Sequence, residues 1–367
     1  MSLVVVAMSM TAFMAATMFT VDVGMMMTSR AQAQNAADAG ALAGAVALAF
    51  NDYTDRSAGG PAVTAAIAAA KANAVMSEQV SINPSDVEFI NDANGQPNWV
   101  RVTVRRTAER GNPISTFIAA SFGHPTVDVG ATATAEAAPA NAATCVKPWT
   151  VPNRWVEKQT PGWDTTDTFS AYPLSPTLSP DIYVPVDQNG FSGYRVSVDV
   201  GLQIIIKTAA TASISPTAYT AIDLPGSSGA TDFQSDVETC NAGTMQIGDL
   251  MTTEPANVTA STKNGVDALI AKDPGAYWDA ANKRVVSSLH PSPRVVVIPL
   301  YDPYYRDTGK KNGNTAAFKI ADFMGFFIEG AQANGNVTGR IVPVAGLLEG
   351  SGPTLPGAFA RSIRLVQ

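Results

Sequence analysis

The chain has 367 residues, with 24 basic against 31 acidic side chains and a net charge of −7. Phosphate binding needs clustered Lys and Arg, and no basic stripe occurs, which argues against a nucleic-acid surface. Only 15% of residues are charged while Gly, Pro, Ala, Thr and Val are plentiful, a profile of exported β-rich proteins rather than of cytosolic helical enzymes. The length allows an anchor plus a globular part.

Residues 3–21, LVVVAMSMTAFMAATMFTV, carry no charge. At 1.5 Å per residue they reach about 28 Å, close to the hydrocarbon thickness of a bilayer. A cleavable signal peptide calls for a basic start, a shorter apolar run and an Ala-x-Ala-like site; here the run is long and passes into a continuing helix, so it reads as an anchor. The eight methionines between Met1 and Met27 read as flexible apolar filler. Asp22 closes the run where a carboxylate is costly unless interfacial or paired. Arg30 is its candidate partner, but two helical turns separate them, so pairing calls for a neighbouring chain, with solvation at the interface as the alternative. Residues 31–50 are Ala-rich and helix-forming, and Gly40 and Gly44 stand at GxxxG spacing. That spacing permits close approach of a partner helix or of the chain's own domain.

Residues 51–61, NDYTDRSAGGP, are turn-rich. A second Ala-rich helix is predicted to about residue 76, followed by strands at 99–107 and 127–136 around a short helix over 112–122 that ends at Gly123. Residues 137–180 are rich in Pro, Thr and Ser but hold Trp149, Trp155 and Trp163. They read as ordered irregular structure, with the tryptophans as packing anchors rather than a carbohydrate platform. Asp187-Gln188-Asn189-Gly190 lacks the later ligands of a calcium loop and reads as the turn of a hairpin between 182–186 and 194–206. A short helix over 262–271 is stopped by Asp273-Pro274-Gly275, and a buried strand follows at 294–300. Strands at 318–329 and 339–344 flank the turn AQANGN, although KIADFMGFFIEG also fits a helix. The fold class is therefore α+β in three parts: an anchor with its continuing helix (1–50), a small α+β unit (51–140), and a β-rich exported domain (141–367) that begins in the Trp/Pro-rich segment.

Cys145 and Cys240 have neither metal-ligand nor CxxC spacing. In an oxidising compartment they would close a loop worth about 4–5 kcal/mol in the chain-entropy model; otherwise they are two free thiols. The two histidines, His124 and His290, each precede a proline and belong to no HExxH or triad pattern. There is no Walker A lysine loop and no GxSxG elbow. The expectation is a protein that is not an enzyme and has no cofactor, metal or small-molecule substrate.

The string VDVGMMMTSRAQAQNAADAGALAGA at 21–45 resembles the signature of TadE/TadG-like proteins of Flp (tight adherence) pilus assembly, in which a membrane helix ends in an Asp-x-Gly step and continues into an Arg…Gln-Asn-Ala-Ala-Asp-Ala-x-Ala-Leu-Ala-Gly helix. Asp22, Gly24, Arg30, Gln34, Asn35, Asp38, Ala41, Leu42, Ala43 and Gly44 fit that pattern. Later segments are similar to the C-terminal part of larger TadG-related proteins: Cys145 to Trp149, Cys240 to Asp249, Gly265 to Pro274 and Ser292 to Pro303. The step before the third of these reads EPANVTAST where related sequences are Gly-rich. The resemblance implies a single-pass bacterial inner-membrane protein with its C-terminal part in the periplasm or at the cell surface, a small pilin-like unit, and partners among pilus assembly or minor pilin subunits. Asp22, Gly24, Arg30, Gln34, Asn35, Asp38, Gly40 and Gly44 are its candidate membrane and partner-helix residues. The chain begins MSLVVV with its first positive charge at Arg30, so the positive-inside rule leaves orientation open and a trimmed or misassigned start is expected. A prepilin-peptidase site is not recognisable. The alternatives are a surface adhesin and a tethered hydrolase. Some TadG proteins carry a metal-dependent von Willebrand factor A domain, but Asp55-Arg56-Ser57-Ala58-Gly59 departs from its Asp-x-Ser-x-Ser motif at the last position.

Overall fold

The computed structural model describes residues 2–50, 55–91, 97–160, 162–208, 213–254, 257–289, 291–311, 317–347 and 357–366. The chain divides into two compact units, Met1–Ala137 with Ile363–Gln367, and Ala138–Ser362. The α+β class read from the sequence is the one observed. The last residues, placed above with the C-terminal domain, return to the first unit.

In that first unit, α1 (Ser2–Phe50) runs without a break. Its second half buries Ala33, Ala36, Ala37, Ala41, Ala45 and Leu48, a stripe at helical spacing. Against this stripe lies α2 (Pro61–Ala72), which starts at a proline suited to a first turn and buries Ala62, Val63, Ala66 and Ala70. Small residues on both faces let the two helices approach closely. A Cβ placed on Gly44 would lie 2.9 Å from Val100 Cγ1 and 3.1 Å from Ala66 Cβ; one on Gly40 would lie 3.1 Å from Ala70 Cβ and from Val102 Cγ1. The sheet beneath comprises β1 (Val87–Ile90), β2 (Trp99–Arg106) and, after the intervening hairpin, the long strand Val129–Pro139, paired antiparallel in that order. Alternation in β2 turns Val100, Val102 and Val104 inward. The C-terminal strand Arg361–Leu365 joins the far edge, where Arg364 pairs with Glu136 at 2.7 Å. Arg106 is buried and donates to the carbonyls of Val75, Asn112 and Pro113 and to Glu78, fastening two loops to the end of β2.

The helix predicted over 112–122 is instead a small hairpin: β3 (Ile114–Ser115) pairs with β4 (Thr126–Val127), and a 3-10 turn, Ala119–Phe122, lies between them. Pro113 and the β-branched Ile114 and Thr116 favour extended backbone there. Gly123, with φ of 88°, ends the turn as a left-handed cap. The strand just described, Val129–Pro139, is β5.

The second unit contains, in chain order, β6 (Ala142–Ala143), β7 (Trp149–Pro152), α3 (Val196–Asp199), β8 (Gln203–Thr208), β9 (Ala218–Ala221), α4 (Gly229–Glu238), β10 (Met245–Gln246) and β11 (Leu250–Met251). It continues with α5 (Thr259–Lys272), the β12 (Tyr277–Asp279) and β13 (Arg284–Val286) hairpin, β14 (Val295–Tyr301), α6 (Pro303–Lys311), β15 (Phe318–Ala331) and β16 (Val337–Val342). Six strands close into a barrel in the order β15, β14, β7, β9, β8, β16, with β16 pairing back onto β15. The β14–β7 and β9–β8 pairs are parallel and the others antiparallel. Strand β14 is buried on both faces: Val296, Ile298 and Leu300 join one apolar cluster, Val297 and Tyr301 another. A strand covered on both sides shows a continuous apolar run instead of alternation, which is why 318–329 also fitted a helix.

The hairpin expected between 182–186 and 194–206 does not form. Ile182 makes a single bridge to Val156, and residues 196–199 make one helical turn. The Asp199 carboxylate accepts the Arg195 N–H at 2.7 Å and pairs with Arg154, which favours a turn over extended chain at this point.

Cys145 and Cys240 form a disulfide at the C-terminal end of α4. Beside it the Lys147 ammonium donates to the carbonyls of Asp236 and Thr239, and Cys145 N–H donates to Asn241 O at 3.0 Å. The Cys145-to-Trp149 and Cys240-to-Asp249 segments thus meet at one helix end, whose free carbonyls the lysine satisfies. Burial brings the Lys147 ammonium down to about 8. Asp322, fully buried on β15, accepts N–H bonds from Phe323 at 2.8 Å and Phe359 at 3.1 Å, and burial pushes it up to about 7.

Two outcomes follow. A methyl group on Gly339 would meet the Phe327 carbonyl oxygen at 2.4 Å and the Phe326 ring at 2.5 Å, whereas one on Gly330 meets nothing within 4 Å. Gly339→Ala is expected to lower the unfolding free energy by about 1–3 kcal/mol, the usual overpacking cost, and Gly330→Ala to leave it unchanged; equal melting temperatures would contradict the closed β15–β16 seam. For Asp322, the folded value lies above the unfolded one, so the folded protein binds the proton more tightly. Its stabilising contribution is complete below pH 3.8 and is lost as pH rises through about 7. Melting curves of the wild type and Asp322→Asn should therefore diverge across that window in favour of the variant; parallel pH profiles would refute the assignment.

Candidate functional site

The features singled out in the sequence fall along α1, and the helix changes partner along its length. In its first half Val4, Val5, Val6, Met8, Met10, Phe19 and Val21 are exposed; in its second half the alanine stripe is buried. Among the described residues one helix, Val4–Phe50, is long and apolar enough to cross a membrane, and none of its most apolar window is buried in the protein. It is a candidate span by length and composition.

Asp22 marks the change. Its side chain accepts three backbone N–H groups, from Phe117 at 2.8 Å, Ile118 at 2.9 Å and Ala119 at 2.8 Å, and the residue is only 6% exposed. These donors open the 3-10 turn Ala119–Phe122, whose own N-cap, Ile118, has no side chain able to cap it. A carboxylate aimed at the first N–H groups of a turn satisfies donors that would otherwise lack acceptors. Asp22 is thus partnered by main chain of its own unit, and Arg30 is exposed and makes no ion pair among the described residues. The sequence signal was indirect, an apolar Thr-Phe-Ile-Ala-Ala turn lacking a local cap.

The other candidates divide between inward and outward roles. Gln34 donates to Asp38 at 2.8 Å and to the Thr132 carbonyl at 3.4 Å, tying α1 to β5. Gln32, not singled out in the sequence, accepts the Met76 N–H at 2.8 Å. Gly40 and Gly44 pack on α2 and β2 of their own unit, as described above. Gly24 and Asn35 are exposed, and a Cβ on Gly24 would meet nothing within 4 Å. Between α1 and the β3–β4 hairpin lies an open cavity of about 540 Å3, walled by Phe19, Val23 and Met26 on one side and Ile118, Ala119 and Val127 on the other.

The second unit offers weaker candidates. Trp149 and Trp155 are fully buried. Trp163 packs edge-on against Trp155 and Tyr194 with ring centroids 6.1 and 5.9 Å apart, and Arg154 covers its face at 4.5 Å. These rings pack a core edge and leave no flat platform. Asp223 is pushed up to about 6 by burial and by the neighbouring Glu254, which also accepts the Gly229 N–H at 2.8 Å. Among the described residues no three His, Cys, Asp or Glu side chains converge as metal ligands. His124 lines the cavity beside Asp22, and His290 lies outside the described residues.

If Asp22 holds the turn, Asp22→Ala should speed hydrogen exchange at the amides of Phe117, Ile118 and Ala119, and Arg30→Ala should leave them as protected as in the wild type. Unchanged protection in Asp22→Ala would show that the cap does not hold the turn.

Comparison with known proteins places this region. The Flp pilus-assembly TadE/G-like family model matches residues 1–47. No curated protein and no solved structure matches the chain. The matched stretch takes in both the exposed apolar half of α1 and most of its packed half, and it is there that the chain is similar to the TadE/G-like family of Flp pilus assembly.

Proposed function

We propose that the protein is a membrane-anchored structural component of Flp pilus assembly that works by positioning and contact rather than by catalysis. Residues 3–21 span the inner membrane and pack there with other pilus components. The remainder stands in the periplasm or at the cell surface, where it contacts assembly proteins or minor pilin subunits. The observation that carries this reading is the coincidence of the family match at residues 1–47 with a helix whose most apolar window is unburied among the described residues. The Cys145–Cys240 disulfide fits an oxidising compartment. The Asp22 cap supports a fixed exit point, since a domain pinned at the end of its anchor presents its surface in one orientation.

Deleting the gene should abolish or shorten surface pili, with restoration by the wild-type copy. Pili of normal number and length with lost adhesion would instead favour an adhesin. In intact cells a membrane-impermeant maleimide should label Cys145 and Cys240 only after reduction by an added reductant; labelling only after lysis would contradict the exported orientation.

A further inference from the structure

The segment capped by Asp22 has properties that its role as a hairpin tip does not require. No charged residue occurs between Arg110 and Asp128, although the chain on the β2 side of that stretch, Arg105-Arg106-Thr107-Ala108-Glu109-Arg110, is dense in charge. Phe117 is 71% exposed at the tip. The tip lies along the last apolar turns of α1, sharing a cavity wall with Phe19, which is itself 69% exposed.

Most of its backbone N–H groups also have acceptors within the unit. Phe117, Ile118 and Ala119 donate to Asp22; Thr116 donates to the Pro125 carbonyl at 3.0 Å; Ser121 to Ile118 at 2.9 Å; Gly123 to Ala120 at 3.2 Å; and His124 to Ala119 at 2.9 Å. The Thr116 hydroxyl donates to the His124 carbonyl at 2.5 Å. An irregular loop in contact with water has no need to satisfy its donors internally. One in contact with lipid does, because every unpaired N–H there costs several kcal/mol. Aromatic side chains favour the boundary between headgroups and acyl chains.

We propose that the tip of the β3–β4 hairpin, residues 116–124, is a second membrane contact: a lipid-facing foot clamped beside the anchor by Asp22, with Phe117 in the headgroup–acyl boundary and lipid filling the cavity along α1. The inference rests on the reading of residues 3–21 as a span, with which the foot is continuous through Phe19 and Asp22. Lipid is the occupant that an uncharged surface beside an anchor, with most of its backbone donors already paired, suits. Two contacts then fix the tilt of the exported unit against the bilayer, where a single helix would leave it free to swivel.

The test uses the oxidised full-length protein in phosphatidylethanolamine/phosphatidylglycerol nanodiscs. Both native cysteines are in the disulfide, so an introduced cysteine can be labelled selectively with an environment-sensitive fluorophore. Three variants are compared: Met10→Cys within the span, Phe117→Cys in the foot, and Val46→Cys, which lies about 36 Å along α1 from Asp22 at 1.5 Å per residue. The expected result is loss of emission at residue 10 with a nitroxide deep in the acyl chain, at residue 117 with a nitroxide near the headgroup, and at residue 46 with aqueous iodide alone. Adding Asp22→Ala to Phe117→Cys should move the label from lipid-quenched to iodide-quenched. If residue 117 behaves like residue 46 while residue 10 is quenched by lipid, the foot is wrong and the anchor stands. If residues 10 and 117 both respond only to iodide, the anchor reading falls as well. A label at residue 117 shielded from both quenchers would mean that protein covers the tip, which also overturns the proposal.

Discussion

Three N–H groups from residues 95 to 97 positions away converge on the carboxylate of Asp22, and the organisation of the first unit depends on that junction. On one side the most apolar window of the helix is unburied among the described residues; on the other it is the spine of a packed unit. A neutral residue at position 22 would leave the hairpin free to drift along the helix. A carboxylate that accepts three N–H groups holds it in place, because leaving a buried carboxylate unpaired is costly. The same group caps a turn that has no cap of its own, so helix and hairpin each supply what the other lacks.

Beyond the junction, the constraint becomes one of size. Gly40 and Gly44 sit within about a Cβ of α2 and β2, and the facing positions on α2 are alanines. The sequence left open whether this small-residue face served a partner helix or the chain's own domain, and the structure fills it from within. On the outer face of α1, Gly24, Arg30 and Asn35 remain exposed.

What could be read in advance follows from how local each cause is. The α1 and α2 helices, the alternating β2 and the buried β14 were legible because their patterns repeat within one element. The helix expected over 112–122 and the hairpin expected over 182–206 failed for a shared reason: a distant carboxylate or arginine sets the local backbone, Asp22 in the first and Arg154 with Asp199 in the second. The pairing of β16 with both β8 and β15, which closes the barrel, joins strands far apart in sequence with nothing in either to name the other. The return of the C-terminal strand to the first unit was equally invisible, since five residues of mixed polarity carry no signal beyond the single Arg364–Glu136 pair. Asp22 and the GxxxG pair could be marked as important from their costs alone, but not assigned partners.

The extent of the family match sharpens what the first 47 residues have to encode. A span alone would need only apolar length, and any Leu-rich run would serve. The matched stretch continues well past Asp22 into the alanine and glycine face that α2 and β2 cover. It therefore includes the junction and the seat of the first unit as well as the candidate span. A substitution that preserves hydropathy but enlarges Gly44 would leave the apolar run intact while displacing the α2 and β2 faces packed on it. A change in the apolar run and a change in the packed face therefore differ at the level of the molecule although both fall within the matched stretch.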